Sequence, residues 1–234
     1  MWKVQSIKVS HNLKSMQINM NIIKPIAAAA AAAALLTACD CKEQPAGRWS
    51  EEKANEWYAQ RDWPLGCDYV PAYAGNQIQM WQSSTWDPAE IDKELGWAEE
   101  LGFNSVRIFL HDKVWSADRD AFFAHIEEFL KIADSHGISS LVTLFTNGGS
   151  RDRCVDEDIA PIPGIHNSIW AQTPGIETVN DPSQWGWVKE YEQDVLRHFK
   201  DDSRIIAWCL YNEPENVPAC HTYPLLKKVF EWAR

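Results

Sequence analysis

The stretch that most constrains the fold of this chain is Arg204–Glu215, with the sequence Arg-Ile-Ile-Ala-Trp-Cys-Leu-Tyr-Asn-Glu-Pro-Glu. Its apolar run, Ile205–Tyr211, is too short for a typical helix and rich in β-branched and aromatic residues, which predicts a buried parallel strand. Pro214 then ends the strand, because proline offers no N–H to the ladder and restricts the residue before it. An amide and a carboxyl group, Asn212 and Glu213, therefore stand at the carboxyl end of a strand.

The rest of the chain predicts alternating strands and helices. Asp87-Pro88-Ala89-Glu90 combines a helix-capping Asp, a proline at the first helical position and a Glu that completes a capping box. Further strands are predicted over 65–71, 104–110 and 138–145, and further helices over 50–60, 119–136, from 181 onward and from 223 onward. This order favours βαβ units and a parallel sheet. In a β/α barrel, the carboxyl ends of such strands carry the chemistry.

Residues 146–180 lack a periodic pattern. They contain Pro161, Pro163, Gly164, Pro174 and Gly175, all of which interrupt regular structure. Because this stretch is longer than an ordinary connection between two elements, we expect a functional loop rather than a spacer.

The amino-terminal segment is typical of a targeting signal. Lys24 precedes an apolar run of eleven residues, Ile26 to Leu36, which includes eight consecutive alanines. That length suits the core of a signal peptide and is too short for a membrane anchor. The run ends in Leu-Thr-Ala-Cys39, which resembles the bacterial lipobox. Translation that starts at Met16 or Met20 instead of Met1 would also fit this signal.

This resemblance divides the chain into three segments. It implies a signal peptide over residues 1–38 that is removed, a lipid on the sulfur of Cys39, and a short polar tether over residues 39–48. The mature protein would then be held by its lipid in the bacterial cell envelope, facing the periplasm or the exterior. Residues 49–234 remain for the folded part.

The other cysteines leave one pairing open. Cys41 lies in the leader, and Cys67 and Cys209 fall within predicted strands, where we expect small buried side chains. Cys154 and Cys220 both follow strands, and an oxidising compartment permits them to form a disulfide. Both the disulfide and two free thiols are compatible with the sequence. No cysteine or histidine spacing indicates a metal site, and we expect no cofactor.

Charge and composition narrow the class of ligand. The formal net charge of −11 argues against nucleic acid and anionic membrane surfaces as partners. A neutral substrate is compatible with it. The chain also holds 13 tryptophans, a residue that is common both in cores and where sugar rings are stacked.

From Trp49 to Arg234 the pattern resembles the clan of retaining glycoside hydrolases built on the TIM (β/α)8 barrel, nearest to the family 5 type of cellulases and mannanases. Asn212-Glu213-Pro214 is the most specific motif, because the clan places its general acid/base at the end of the fourth strand. The resemblance implies an α/β fold of which this chain holds about the first four β/α units. It also implies a β-linked polysaccharide or oligosaccharide as the substrate.

The resemblance assigns roles to individual residues. Glu213 would protonate the leaving oxygen and then deprotonate the attacking water, and Asn212 would bind a sugar hydroxyl. Arg107 matches the arginine of the second strand that orients the nucleophile, with a salt bridge that contacts a helix as the alternative. Further candidates for substrate contacts, in and beside the barrel mouth, are His111, His166, Asn167, Trp170 and Tyr211. Trp170 could stack on a sugar face or anchor its own loop.

The sequence departs from the clan in one respect. The clan takes its nucleophilic Glu from the seventh strand, whereas this chain ends soon after the fourth. Trp49–Arg234 supplies 186 residues, and a barrel of this kind needs about 250. We therefore expect the amino-terminal part of a longer enzyme, inactive as written. The alternative is a carbohydrate-binding surface lipoprotein or barrel remnant without catalysis, and a Glu at the seventh-strand position of a complete chain would separate the two.

Overall fold

The computed structural model describes residues 47–234. The predicted signal peptide, Cys39, Cys41 and most of the predicted tether lie outside the described residues. The chain divides into two units, 1–55 and 56–234. In the described part of the first unit, Ser50 Oγ accepts a hydrogen bond from the Lys53 amide at 3.1 Å and so caps the first helix, as its sequence predicts. Between residues 47 and 234, no helix has both the length and the apolar character needed to cross a membrane.

The described residues form four strands, eight α-helices and one short 3-10 helix, Pro182–Gln184. In chain order the elements are α1 (Glu51–Ala59), β1 (Gly66–Asp68), α2 (Gln77–Trp81), α3 (Pro88–Glu100), β2 (Ser105–Phe109), α4 (Asp112–Ala117), α5 (Arg119–Ser135), β3 (Ser139–Thr146), α6 (Ile176–Asn180), α7 (Trp185–Phe199), β4 (Ile205–Asn212) and α8 (Tyr223–Trp232).

The four strands make one parallel sheet in the order β1-β2-β3-β4. The register aligns Asp68 with Arg107, Phe109 with Thr143, and Thr146 with Asn212. All four strands therefore end at the same edge of the sheet. The predicted α/β class with four β/α units of a barrel is confirmed.

Helix caps and apolar faces explain where the long helices lie. Asp87 Oδ1 accepts from the amides of Ala89 and Glu90 at 3.1 Å, and Asp118 Oδ1 accepts from Ala121 at 3.0 Å. One face of each long helix is apolar and buried. The fully buried side chains of these faces include Ile91, Leu95, Phe122, Ile126, Phe129, Leu130, Val188, Val195, Leu225 and Val229. They pack with the sheet residues Val106, Ile108, Val142 and Leu144 in one core.

The opposite face of the sheet is less covered. Alternate residues along β2 and β3, such as Ser105, Arg107 and Leu141, are only half-buried, and so is most of β4. This is the face that a closed barrel would bury in its interior. Among the described residues β4 pairs only with β3, so its other edge has no strand neighbour.

The structure corrects several expectations. β1 has only three residues, and Cys67 within it is exposed because that end of the sheet is open. Cys209 is half-buried rather than buried, since it lies on the less covered face. For Cys154 and Cys220, where the sequence allows either a disulfide or two thiols, the structure has two free thiols. The Cys220 thiol is buried and donates to Asn147 Oδ1 at 3.3 Å, whereas Cys154 is exposed and bonds to the Asp152 carbonyl.

Candidate active site

A cleft of about 540 Å³ lies at the carboxyl ends of the strands. It is lined by residues that follow or end all four strands and by the long loop after β3. The lining residues are Asp68, Val70, Arg107, Phe109, Asn147, Gly148, Gly149, His166, Asn167, Trp170, Asn212, Glu213 and Asn216. Six of the eight sequence-predicted catalytic and substrate-binding residues are among them.

Arg107 connects β2, β3 and β4 beneath the cleft. Its Nη2 donates to Asn212 Oδ1 at 2.6 Å, and its Nε donates to Thr143 Oγ1 at 3.0 Å. Its Nη1 lies 3.7 Å from Asp68 Oδ1, so the guanidinium also reaches an acidic group of the first strand. This position is compatible with the site role considered for Arg107, and its acidic neighbour Asp68 lies in a strand rather than in a helix.

The amide of Asn212 is held in one orientation. Its Oδ1 accepts from Arg107, and its Nδ2 donates to Thr146 Oγ1 at 3.1 Å. An amide NH₂ group carries two hydrogens, so one donor remains after the bond to Thr146. The side-chain amide of Asn212 therefore has a fixed orientation in the cleft.

Glu213 follows β4 directly, in an unusual backbone conformation. Its φ angle is +52°, in the left-handed region that residues with a side chain rarely adopt. Its Oε2 accepts a hydrogen bond from Asn216 Nδ2 at 2.9 Å. Glu213 is exposed, because the described residues enclose only part of the barrel mouth.

The loop after β3 supplies the aromatic wall of the cleft. Residues 147–175 form this loop, which we call the third loop. It folds back on the sheet through bridges that pair Thr146 with Thr173 and Ser150 with Ala171. Trp170 is half-buried, and its ring meets that of Phe109 edge-on at 5.3 Å between centroids. Trp170 therefore both lines the cleft and packs against β2.

His166 and Asn167 also belong to the third loop. Both are exposed and line the cleft, and Asn167 has a left-handed φ of +52°. The Asn167 carbonyl accepts from the Trp170 amide at 3.0 Å, which makes a turn that aims this part of the loop at the cleft.

His111 and Tyr211 differ from expectation, because neither lines the cleft. His111 is 1% exposed and begins α4, where its Nδ1 accepts from the Lys113 amide at 3.1 Å. Burial lowers the pKa of His111 to about 4, so its imidazole is neutral near pH 7. Tyr211 is also buried, and burial raises the pKa of its phenol, which donates to Asn147 Oδ1 at 3.1 Å.

The sequence analysis missed three polar lining residues, Asp68, Asn147 and Asn216. Asn147 directly follows β3, so the logic that singles out Asn212 after β4 also applies to it. Its buried Oδ1 accepts from the Tyr211 phenol and the Cys220 thiol, which ties β3 to β4 and to the segment before α8. Asn216 lies in a loop, and nothing in its local sequence indicates its bond to Glu213.

The side chains of this cleft can take part in proton transfer and hydrogen bonding. Among residues 47–234, no group of three or more His, Cys, Asp and Glu side chains is placed to hold a metal ion. The cleft offers two carboxyl groups, a guanidinium, four side-chain amides and an imidazole beside an aromatic wall. Such a set can exchange a proton with, and hydrogen-bond to, a neutral polyhydroxylated ligand.

Sequence comparisons found no match: no family model fits the chain, and no curated protein is similar to it. Solved structures do resemble it. The exo-beta-1,4-mannosidase Op5Man5 from Opitutaceae bacterium strain TAV5 matches 73% of this chain with a TM-score of 0.56 and 21% identity. GH5_18 from Streptomyces cattleya, solved in complex with GlcNAc, matches 73% of this chain with a TM-score of 0.47 and 14% identity.

The likeness to Op5Man5 shows that the chain shares the fold of a glycoside hydrolase of the barrel type. The chain spans 29% of the length of Op5Man5 and 41% of the length of GH5_18. The four parallel strands correspond to part of such a barrel.

Proposed function

We propose that this chain is the amino-terminal half of a retaining glycoside hydrolase that acts on a β-linked glycan, with Glu213 as its general acid/base. The observation that carries the proposal is the arrangement of Arg107, Asn212 and Glu213 at the carboxyl ends of β2 and β4, in one cleft with Trp170. Barrel enzymes keep their catalytic groups at this end of the strands.

In the first step, the nucleophilic carboxylate forms a bond to the anomeric carbon while the protonated carboxyl of Glu213 gives its proton to the glycosidic oxygen, whose bond to that carbon breaks. In the second step, water attacks the same carbon and displaces the nucleophile, and the Glu213 carboxylate takes a proton from that water. The remaining N–H of Asn212 donates to a hydroxyl of the sugar at the scissile bond. Arg107 fixes the acceptor side of that amide and offers positive charge to the nucleophilic carboxylate.

Retention requires a second carboxylate about 5–5.5 Å from the first. Among the described lining residues, Asp68 is the one other acidic group of the cleft, and it faces Arg107 at 3.7 Å. We propose that the nucleophile is a Glu from a seventh strand, in sequence that follows Arg234 in the complete protein. This chain alone would then be inactive.

The substrate is a neutral sugar polymer in this proposal. The half-buried ring of Trp170 offers a flat apolar surface for a sugar face, and the amides around it suit hydroxyl groups. β-1,4-Mannosides are the first substrates to test, because a structure of the same fold is an exo-beta-1,4-mannosidase. Cellulose- and xylan-derived oligosaccharides are the comparison.

The test is a leaving-group experiment on the complete protein. Glu213→Gln cannot donate a proton, so we expect hydrolysis of ordinary oligosaccharides to fall by a factor of about 10² to 10⁴. Aryl glycosides with a good leaving group should lose far less in the first step. Glu231→Gln, an exposed carboxyl on α8, is the matched control and should keep full activity. Wild-type activity in Glu213→Gln would refute the proposal.

A second candidate is a carbohydrate-binding lipoprotein without catalysis. The observation that favours it is the pairing of Asp68 with Arg107, since this engages the one other carboxyl group among the described cleft residues. The release of reducing sugar distinguishes the two candidates. Both would bind the glycan, but only the hydrolase would release reducing sugar from it. For either candidate we propose anchoring in the cell envelope through a lipid on Cys39.

A further inference from the structure

The loop between β4 and α8 holds Glu213 in a constrained geometry. This fourth loop comprises residues 213–222. Glu213 and Glu215 both have left-handed φ angles, +52° and +65°. A non-glycine residue in this region costs free energy, so the surrounding contacts must impose it. Two sets of hydrogen bonds do so.

The first set fixes Glu215 to the start of α8. Its amide donates to Thr222 Oγ1 at 2.8 Å, and its Oε1 accepts from Thr222 Oγ1 at 3.0 Å and from the Tyr223 amide at 2.9 Å. Thr222 is fully buried. The hydrogen bond from the Tyr223 amide lowers the pKa of Glu215, which keeps this side chain an ionised acceptor at the helix start. Glu215 is therefore a structural residue, because its hydrogen bonds join the fourth loop to the start of α8.

The second set fixes Glu213 through Asn216. The Asn216 amide donates to the Glu213 carbonyl at 3.1 Å, and Asn216 Nδ2 donates to Glu213 Oε2 at 2.9 Å. The loop thus bonds both the backbone and the side chain of Glu213 from a single residue. Of these two hydrogen bonds, only the one to the side chain can affect which oxygen of the Glu213 carboxyl group carries the acid proton.

We propose that Asn216 is a positioning residue that selects Oε1 of Glu213 as the oxygen that carries the proton, an inference that rests on the proposed function. A donated N–H is best accepted by the carbonyl oxygen of a neutral carboxyl group or by an ionised oxygen. With Asn216 on Oε2, the acid proton resides on Oε1. Oε1 gives this proton to the glycosidic oxygen, and in the second step it accepts a proton from water.

Every variant of Asn216 keeps the titratable and charged groups that other elements place at the cleft with Glu213. Asp68 ends β1, Arg107 belongs to β2, and His166 belongs to the third loop, and all three line the cleft with Glu213. Glu215 and His221 lie in the fourth loop itself. A change confined to Asn216 therefore leaves the charges contributed by the other elements in place.

The experiment measures kcat/KM against pH for the complete protein with an unactivated glycoside and with an aryl glycoside that has a good leaving group. Asn216→Ala removes the donor, which disfavours the ionised form of Glu213. We expect the alkaline limb of the profile to move up by about half a pH unit. We also expect about a tenfold loss on the unactivated substrate and a smaller loss on the activated one. Asn216→Asp adds a like charge and should move the limb further.

Asn180→Ala is the matched control, because Asn180 holds the same loop from its far end. Its Nδ2 donates to the Ala219 carbonyl at 2.8 Å, and its Oδ1 accepts from the His221 amide at 3.0 Å. This variant loosens the loop without touching Glu213, so its thermal midpoint should fall while its pH profile stays in place. An unmoved profile in both Asn216 variants, with Glu213→Gln inactive, refutes the inference alone. Full activity in Glu213→Gln refutes the proposed function and the inference with it.

Discussion

At the residue scale, Glu192 on α7 is a carboxyl group in an unfavourable place. It is fully buried, and neither side-chain oxygen has a hydrogen-bond partner among the described residues. Burial raises its pKa to about 8, because the charged form loses its hydration and gains nothing in return. Glu192 is therefore protonated in the folded protein near pH 7 and ionised in the unfolded chain.

This difference predicts a pH-dependent stability. The Glu192 carboxyl keeps its proton in the folded protein at pH values where it is ionised in the unfolded chain. Its contribution to the free energy of unfolding is therefore fully present below about pH 4.5 and is lost as the pH rises through 8. Glu192→Gln keeps the neutral shape, so we expect equal stability at pH 4 and roughly 4 kcal/mol more than wild type at pH 8. Chemical denaturation at a series of pH values measures this.

Glu190→Gln is the control on the exposed face of the same helix, and it should behave as the wild type. His111 titrates in the opposite sense, because its lowered pKa makes the folded state gain stability as the pH rises from about 4 to 6.5. Comparing variant with wild type at each pH removes that contribution. A constant offset between the two curves would contradict the prediction.

At the scale of elements, the third loop depends on a close approach of two backbone segments. Gly149 has a φ of +80°, and a Cβ atom placed on it would lie 2.2 Å from the Trp170 carbonyl oxygen. The Ser150 amide donates to that same oxygen at 2.9 Å. The side chain of any other residue at position 149 would therefore push Trp170 away from the cleft.

Gly149→Ala should consequently weaken glycan binding at least tenfold, since Trp170 would no longer lie against Phe109. Gly148→Ala is the matched control, because Gly148 has a similar φ of +88° with nothing within 4 Å of its Cβ position. Both variants carry the backbone strain, and only Gly149→Ala carries the clash. Calorimetric titration of the complete protein with a β-linked oligosaccharide measures the difference, and equal losses in both variants would count against this account of the loop.

The same elements show what the sequence could predict. The sheet was readable from its apolar runs and the long helices from Asp87 and similar caps, because these signals are local. Arg107 and Asn212 were readable because the end of a parallel strand has a known place in a barrel. The orientation of a side chain at or beyond the end of a strand is set by the tertiary packing, which is why His111 and Tyr211 are buried and Asn216 was missed.

At the scale of the whole molecule, the proposed lipid anchor makes a separate prediction. If a lipid on Cys39 holds the protein at the membrane, Cys39→Ser should release the protein from the membrane fraction, because it removes the sulfur that carries the lipid. Fractionation of cells that express each form, with immunodetection, measures the release. Cys67→Ser, which alters an exposed thiol in β1, is the control and should stay with the membrane. Retention of the Cys39 variant would refute the anchor.

The uncovered edge of β4 bears on the synthesis of the protein. A ribosome finishes this eight-residue strand before it makes any sequence that follows, and among the described residues only β3 pairs with it. Unpaired strand edges recruit strands from other chains, and parallel sheets form slowly enough to prolong that exposure. If, as proposed, a further strand pairs with β4 in the complete protein, we expect the nascent chain to need a chaperone most when β4 has emerged and that strand has not.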